Sequence, residues 1–409
     1  MSSRFGQRLF PRLRNVLGRL REIVVAGAGI AGCTVAYELA RAGFKVVLLE
    51  QRHVAWGASG RNLGLLLNDL AASSVEMMRM ALNGYRELAD GPVPFELREV
   101  SYLLLPFTDE QIAVTAERVE EMRACGIDCE PVGSDRLKDA LPQLRPGAAG
   151  VHAVHGAWAV SPGAATRAYA EAARAAGADI RTGVRVDQLV VRGGRVEGVV
   201  TDRGIVSCDA VVVATGPWLT DLVDEAPLST GRGWVLRTGH LDFQLPWVLV
   251  DMSWPDLGEL GRSARSPRLG EIAAGGYDRP VAATVSMVSQ PNGRALLGTS
   301  LAPSLREPVE GVEMPQLIAR RALELLPGME AVSVASAWYG LRPMTPDGLP
   351  IVGPTEVDGV FVHGGHGSIG MQSAPWTARA LARIVQGGDA PEVAGFGIGR
   401  FGGLSREAP

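Results

Sequence analysis

Three glycines near the amino terminus have the spacing of a phosphate-binding turn. Gly27, Gly29 and Gly32 follow the pattern G-x-G-x-x-G. The first glycine permits a tight turn, the second lets a pyrophosphate approach the backbone, and the third lets a helix pack close to a strand. Glu50, about 20 residues further on, stands where a carboxylate accepts the ribose hydroxyls of a dinucleotide. These residues predict a dinucleotide site, although an ordinary turn with incidental glycines would show the same three residues.

The elements around these glycines occur in the order that such a site requires. An apolar strand over Ile23 to Ala26 precedes the turn, and a second apolar strand runs from Lys45 to Leu49. The helix between them would offer its unpaired N–H groups and the positive end of its dipole to the phosphates. Strand, helix, strand and acid in register indicate a dinucleotide site more specifically than the glycines alone. We therefore predict an α/β fold with a Rossmann-like dinucleotide-binding domain.

Composition narrows the class of protein further. The chain has 409 residues, 46% of them hydrophobic and 21% charged, which is typical of a globular protein. The net charge is −4, and because no basic patch with interleaved aromatic residues occurs, we expect no nucleic-acid partner. The sequence contains no run of 18 apolar residues, so we predict no membrane-spanning helix. The four cysteines show no paired metal-ligand spacing, so we expect no metal and reduced thiols in a cytoplasmic protein.

The first 21 residues differ from the rest, because they contain six arginines and no acidic residue. We interpret residues 1–21 as a basic extension outside the fold. A transit-like segment, an arm that contacts anionic lipid at the inner membrane or a partner, and a frayed extension all stay open.

Apolar periodicity divides the rest of the chain into alternating kinds of segment. We predict that the cofactor domain comprises residues 22–72, 151–229 and 308–400, and that a substrate domain comprises 73–150 and 230–307. Residues 180–192 and 195–202 alternate like an antiparallel hairpin turned by Gly193 and Gly194. Residues 251–278 have little periodicity and are predicted to form a long loop, either a functional lid or a disordered segment.

Four further segments carry a resemblance to a known family. They are GASGRNLG at 57–64, ATG at 214–216, GLRPMTPDG at 340–348 and GGHGSIGM at 364–371. Together with the amino-terminal glycines, they make roughly residues 22–390 similar to the FAD-dependent amine oxidoreductases of the D-amino-acid oxidase, glycine oxidase and sarcosine oxidase type. The resemblance implies bound FAD in a discontinuous Rossmann-like domain, with an inserted antiparallel-sheet substrate domain.

The resemblance also implies which residues contact FAD. They are Gly27, Gly29, Ile30, Ala31, Gly32, Glu50, Gln51, Arg52, Ala58, Ser59, Asn62, Leu63, Gly64, Val186, Thr215, Gly216, Trp218, Gly340, Gly365, His366, Gly367, Ser368, Ile369 and Gly370. Some members of the superfamily attach flavin to a cysteine near the position of Gly340 or to a histidine in the segment matching 57–64. This chain has neither residue there, so we expect noncovalent FAD.

Arg342 is the strongest candidate for a substrate contact. In family members, the arginine of the G-x-R-P sequence binds the substrate carboxylate, and a guanidinium matches a carboxylate with two parallel hydrogen bonds. A structural ion pair with an acid such as Asp347 is the alternative. Tyr339, close by, is a second candidate for the catalytic pocket, with a buried core aromatic as its alternative. Ser368 stands where glycine-oxidase-like members often have a basic residue, so a second carboxylate contact is missing or supplied elsewhere.

These expectations define a reaction and its alternatives. We predict oxidation of a small D-amino acid or N-substituted amino acid to an imine by hydride transfer to flavin N5, followed by hydrolysis to an oxo acid. Some related oxidases use a lysine to activate oxygen, and this chain has no lysine after Lys138. A quinone or another carrier is therefore favoured as electron acceptor over oxygen. A glycine- or sarcosine-type oxidase that releases peroxide, and an electron-relay subunit of a larger complex, are the alternatives. A homo-oligomer or a partner subunit also stays open.

Overall fold

The computed structural model describes residues 22–67, 72–252, 282–303 and 314–402. The predicted extension 1–21, and the predicted loop 251–278 beyond its first two residues, lie outside the described residues. The strands are β1 (Glu22–Ala26), β2 (Lys45–Glu50), β3 (Leu65–Leu66), β4 (Leu97–Leu105), β5 (Cys129–Pro131), β6 (His152–Val160), β7 (Asp179–Thr182), β8 (Val186–Arg192), β9 (Arg195–Thr201), β10 (Gly204–Ser207), β11 (Ala210–Val213), β12 (Ser229–Thr238), β13 (Val248–Asp251), β14 (Ala282–Ser289), β15 (Ala295–Pro303), β16 (Val334–Met344), β17 (Ile351–Pro354) and β18 (Val360–Gly364).

Seven α-helices occur in the described residues. They are α1 (Ile30–Arg41), α2 (Ala72–Ala89), α3 (Asp109–Ala124), α4 (Ser134–Ala140), α5 (Pro162–Ala175), α6 (Met314–Leu325) and α7 (Gly370–Val385). Short 3₁₀ helices occur at Ala58–Gly60, Gly216–Asp221, Pro327–Met329, Pro391–Phe396 and Ile398–Phe401.

A six-stranded sheet forms the first layer, in the order β17-β18-β11-β1-β2-β7. Its strands are parallel except β17, which pairs antiparallel with β18. Ile23 and Val25 face one hydrophobic cluster with α1, α5 and α7. Val24 faces a second cluster, which includes residues of the β8–β10 meander. Burial on both faces explains why β1, β2 and β11 are largely apolar runs in the sequence.

A larger sheet lies beside the first one. Within the described residues its order is β16-β12-β15-β14-β13-β4-β6-β3, and β5 pairs with β6. Its pairs are antiparallel except β13 with β4. The two sheets confirm the predicted fold class, a Rossmann-like domain with a second, largely antiparallel sheet. The predicted domain boundaries stay predictions, and β6 and β16 pair in the larger sheet although those boundaries place them in the cofactor domain.

The prediction of one strand over residues 180–192 was wrong. Residues 180–192 were expected to form a single hairpin strand, but the chain breaks after β7 at Gly183, which has φ of +70°. β7 joins the parallel sheet beside β2, while β8 pairs with β9 as the expected hairpin. Gly193 and Gly194 both have positive φ there, as a two-residue hairpin turn requires.

Candidate active site

The glycine turn after β1 is held at close quarters by its neighbours. Gly27 has φ of +100°, and a Cβ atom on it would lie 2.6 Å from the Ala214 carbonyl oxygen. A Cβ atom on Gly32 would collide with the carbonyl oxygen of Gly27. The first glycine therefore makes the turn and the third lets α1 pack against it, as the spacing predicts. The first turn of α1 contains no acidic residue, so its positive end is not neutralised locally.

Glu50 ends β2 beside this turn and is half-buried. One oxygen of its carboxylate accepts a hydrogen bond from the Ala28 N–H at 2.8 Å, and the other accepts one from the Arg52 N–H at 2.8 Å. A carboxylate has room for about four hydrogen bonds, so two acceptor positions remain. The carboxylate is thus fixed in place with capacity to accept ribose hydroxyls.

The segment 57–64 packs over the start of α1. The Ser59 hydroxyl accepts a hydrogen bond from the Ile30 N–H at 2.8 Å. Asn62 donates to the Ala58 carbonyl oxygen at 3.0 Å and accepts from the Gly64 N–H at 2.8 Å. Gly64 has φ of +72°, and a Cβ atom on it would collide with the Val160 carbonyl oxygen. Gly64 is therefore required where this segment meets β6, rather than at the wall of a cavity.

A cavity of about 390 Å³ opens at the carboxyl ends of the parallel strands. That position is where open α/β sheets bind ligands. Among the predicted site residues, its lining includes Gly27, Gly29, Ile30, Ala31, Glu50, Gln51, Ala58, Ser59, Asn62, Val186, Thr215, Gly216, Trp218, Arg342, His366, Gly367, Ser368 and Gly370. Residues from seven separate stretches of the sequence thus meet at one place.

Eight predicted residues do not line this cavity: Gly32, Arg52, Leu63, Gly64, Tyr339, Gly340, Gly365 and Ile369. Gly340 packs on the segment 57–64, because a Cβ atom on it would lie 3.3 Å from Arg61 Cβ. Gly365 has φ of +69° and lies against Thr345. Both glycines allow close packing behind the cavity.

Several lining residues were not predicted from the sequence. They include Trp56, Gly57, Val184, Arg185, Pro217, Asp221, Leu222, Pro343, His363, Gly364 and Met371. The position of His363 gave a usable signal, since it lies at the carboxyl end of a buried strand beside the predicted glycine run. Trp56 packs against Trp218 with ring centroids 6.2 Å apart, which no local pattern reveals.

Arg342 lies on β16 and lines the cavity. Its Nη1 donates to the Ser300 carbonyl oxygen at 3.0 Å. Burial lowers the pKa of its guanidinium to about 10. Within the described residues, no carboxylate forms an ion pair with it. Gly233 on β12 makes room for the guanidinium, because a Cβ atom there would collide with it.

The alternative partner of Arg342 is engaged elsewhere. Asp347 forms two hydrogen bonds with Arg400, at 2.7 and 3.1 Å. Burial opposes ionisation of Asp347, but the hydrogen bonds from Arg400 outweigh it and lower the pKa of this carboxyl. The structural ion pair between Arg342 and Asp347 is therefore absent from the described structure.

Tyr339 lies on the opposite face of β16 from Arg342, since the two are three positions apart in a strand. Its ring packs on Trp234 at 5.2 Å, and the Arg232 guanidinium lies 4.7 Å from its centroid. It does not line the cavity. The geometry gives its predicted catalytic role no support.

The described residues contain no group of three His, Cys, Asp or Glu side chains that could hold a metal ion. Among the helices described, none has the length and apolar character needed to cross a membrane.

Comparison with known proteins places the chain in a protein family. A sequence profile described as "DAO: FAD dependent oxidoreductase" matches residues 22–384. The chain belongs to this family. It is 30% identical to a D-amino acid dehydrogenase of Cereibacter sphaeroides, covering 94% of this chain and 97% of that one. It is 29% identical to the 4-methylaminobutanoate oxidase (formaldehyde-forming) of Paenarthrobacter nicotinovorans, covering 93% of this chain and 45% of that one.

A solved structure shows the same fold as this DAO-family chain. Glycine oxidase from Geobacillus kaustophilus superposes with a TM-score of 0.78 at 22% identity, covering 95% of this chain and all of that one. The resemblance predicted from the sequence motifs is therefore confirmed. The chain is an FAD-dependent oxidoreductase.

The cavity suits FAD by the chemistry of its walls. The glycine turn and the start of α1 line the cavity, and a helix start is where a pyrophosphate binds. Thr215 lines the same cavity, and its hydroxyl is buried with no hydrogen-bond partner in the described part of the chain. A buried hydroxyl without a partner is costly unless a ligand supplies one. Glu50 lines the same cavity, and its carboxylate would accept the ribose hydroxyls of the bound group.

Proposed function

We propose that this protein oxidises a small amino acid, either a D-amino acid or an N-substituted one, to an imine that water hydrolyses to an oxo acid. The observation that carries the proposal is Arg342, a half-buried cation that lines the FAD cavity and has no carboxylate partner among the described residues. An unpaired buried charge destabilises a protein, so its retention favours a role in binding an anion.

Arg342 has the donors that a substrate carboxylate needs. Only one of its five N–H groups is engaged in the described structure, by the Ser300 carbonyl oxygen. That single bond fixes one edge of the guanidinium and leaves others free for two parallel hydrogen bonds to a carboxylate. Because Gly233 has no side chain, the guanidinium can pack against the β12 backbone. The side chain is thereby oriented before the substrate arrives, which reduces the entropy that binding costs.

The proposed reaction depends on the orientation of the substrate more than on acid–base groups. When bound, FAD supplies the acceptor for the hydride that leaves the substrate Cα. Arg342 fixes the carboxylate end of the substrate, so that Cα is presented to the cofactor in one orientation. The two histidines of the cavity, His363 and His366, have lowered pKa values because they are buried, so both are neutral at pH 7. They therefore add no positive charge that would repel the substrate amine.

The class of substrate is supported by two kinds of relative. The relative from Cereibacter sphaeroides is named for D-amino acids, and that from Paenarthrobacter nicotinovorans for an N-methylated amino acid. Both names describe a carboxylate with a nearby amine. That combination is what a guanidinium beside FAD would select.

We propose a quinone or another carrier as the electron acceptor. The sequence has no lysine after Lys138, so the strand Ala295–Pro303 of the substrate sheet lacks one as well. A lysine-assisted reaction with oxygen is therefore unavailable from that strand. A sarcosine-type oxidase that releases peroxide is the competing function, and its test is the reaction of the reduced protein with air.

Anaerobic mixing tests the proposed function directly. Purified protein with bound FAD would be mixed without oxygen with D-alanine, L-alanine, D-proline, glycine and sarcosine, and flavin absorbance would be followed. Bleaching by at least one amino acid is expected, with slow recolouring in air and fast recolouring with a soluble quinone. Fast recolouring in air alone would indicate an oxidase. Failure of every amino acid to bleach flavin that dithionite still reduces would contradict the proposal and favour a relay subunit.

A further inference from the structure

One threonine hydroxyl joins two buried histidines at the wall of the cavity. His363 is the penultimate residue of β18, His366 lies in the glycine run, and Thr377 lies on α7. The Thr377 hydroxyl oxygen is 2.8 Å from His363 Nε2 and 3.1 Å from His366 Nε2. His363 Nδ1 is 3.0 Å from the carbonyl oxygen of Ala31, in the first turn of α1. The exposed fractions of His363 and Thr377 are 0%, and that of His366 is 5%.

These distances select one arrangement of protons. The Ala31 carbonyl is an acceptor, so His363 must carry its proton on Nδ1 and accept at Nε2. Because burial lowers the pKa of His363 to about 4, a second proton on that ring is disfavoured at neutral pH. The Thr377 hydroxyl therefore donates to His363 Nε2. Its oxygen then accepts from His366 Nε2–H, which leaves His366 Nδ1 unprotonated.

A competing arrangement is worse. The Thr377 hydroxyl also lies 2.8 Å from the Ser373 carbonyl oxygen. If it donated there, both histidines would donate from Nε2, and the lone pair on neutral His363 Nδ1 would face the Ala31 carbonyl. Two acceptors would then oppose each other in a buried place, which is costly.

His366 has one ring nitrogen left for a ligand. The residue His366 lines the cavity. No hydrogen-bond partner for its Nδ1 occurs in the described ranges. Burial, and then the neighbouring His363, lower the pKa of His366 well below its usual value, so the ring stays neutral. A neutral nitrogen lone pair accepts from hydroxyl or N–H donors and has no attraction for phosphate or carboxylate.

We propose that His366 Nδ1 accepts a hydrogen bond from a ribityl hydroxyl of FAD, and that Thr377 is the positioning residue that fixes the required tautomer. The ribityl chain adjoins the pyrophosphate, and the network begins at Ala31, on the wall that faces the pyrophosphate in our assignment. The ribityl hydroxyls are donors of the kind that a neutral ring nitrogen accepts. The inference depends on the FAD site of the proposed function, and not on which amino acid is oxidised.

The tautomer can be measured without any activity. In protein labelled with ¹⁵N-histidine, the His366 signals, assigned by their loss in His366→Leu, should show Nε2 protonated and Nδ1 unprotonated at pH 7. Addition of FAD to the apoprotein should move the Nδ1 signal, as a new hydrogen bond requires. A protonated Nδ1, an imidazolium at pH 7, or FAD binding that leaves the Nδ1 signal unmoved would each overturn the proposal.

Variants at Thr377 test the positioning role. Thr377→Val keeps the shape and removes the hydroxyl, so the dissociation constant for FAD should rise roughly tenfold, the effect of one buried hydrogen bond. Thr377→Ser keeps the hydroxyl and should bind FAD as the wild type does. Equal affinities of the Val and Ser variants would overturn the positioning role.

Deoxyribityl analogues of FAD test the ligand itself. One of the 2′-, 3′- and 4′-deoxyribityl analogues should bind the wild type roughly tenfold less tightly than FAD, and should lose that difference in His366→Leu. A ratio unchanged by His366→Leu for all three analogues would overturn the ribityl assignment. Flavin that binds normally but is bleached by no amino acid would contradict the proposed function while leaving these readouts intact.

Discussion

Arg342→Met should reduce catalysis strongly without weakening the fold. Methionine has similar length but no charge and no N–H donor. A pKa lowered from 12.5 to about 10 corresponds to about 3 kcal/mol at about 1.4 kcal/mol per pKa unit. Because the side chain is half-buried and lines an open cavity, we take about half, or about 1–2 kcal/mol, as the cost of burying it. Loss of its hydrogen bond to the Ser300 carbonyl oxygen costs about the same.

These two contributions nearly cancel in the free energy of unfolding, whereas nothing offsets the loss in catalysis. The free energy of unfolding should stay within about 1 kcal/mol of the wild-type value. Loss of a charge-assisted bidentate contact should raise the activation free energy by about 2–4 kcal/mol. This corresponds to a kcat/KM about 30-fold to about 700-fold lower. The assays are urea unfolding of the substrate-free protein and anaerobic flavin reduction by an amino acid.

Arg400→Met is the matched control. Arg400 donates to both Asp347 oxygens and to the carbonyl oxygens of Phe396 and Leu349, outside the cavity lining. Its loss should lower the free energy of unfolding by about 2–3 kcal/mol and leave the rate of flavin reduction close to that of the wild type. The reasoning is refuted if Arg342→Met behaves like this control, with a weaker fold and unchanged kcat/KM.

Three further predictions concern the turn, the arginine pocket and the buried histidine. Gly27→Ala should destabilise the protein by about 2–3 kcal/mol and yield colourless material, because its Cβ would lie 2.6 Å from the Ala214 carbonyl oxygen at a φ of +100°; bound flavin absorbance measures this. Gly233→Ala should push the Arg342 guanidinium aside, raising KM roughly tenfold or more with FAD retained, which steady-state kinetics checks. His363 has a pKa lowered to about 4 by burial, against about 6.5 when unfolded. Since the unfolded chain then binds more protons, the free energy of unfolding should fall by up to about 3 kcal/mol from pH 6.5 to pH 4, and urea unfolding of His363→Gln should show a smaller slope.

The parts of the fold with local signals could be predicted from the sequence. The glycine turn, the buried strands and the hairpin at Gly193 and Gly194 depend on backbone conformation and burial, which leave periodic patterns and marker residues. The strand pairings of the larger sheet could not be predicted. β6 pairs with β4, which lies about 55 residues earlier, and β16 pairs with β12, roughly 105 residues earlier.

The errors in the candidate site have the same origin. Gly64 and Gly340 are glycines because residues distant in the sequence pack on them. The sequence does not distinguish a glycine that faces a ligand from one that packs against Val160. Tyr339 was grouped with Arg342 by proximity in the sequence. Had the run Val334–Met344 been recognised as a strand, its alternation would have placed the two on opposite faces.

A substrate with and without its carboxylate tests the central claim, that Arg342 binds this group beside FAD. The rate of anaerobic flavin reduction would be measured for an amino acid that bleaches the wild type and for its primary amide, in the wild type and in Arg342→Met. We predict that the wild type favours the acid by about 30-fold or more and that the variant loses most of this preference. The same acid-to-amide ratio in both proteins would show that the carboxylate is bound elsewhere.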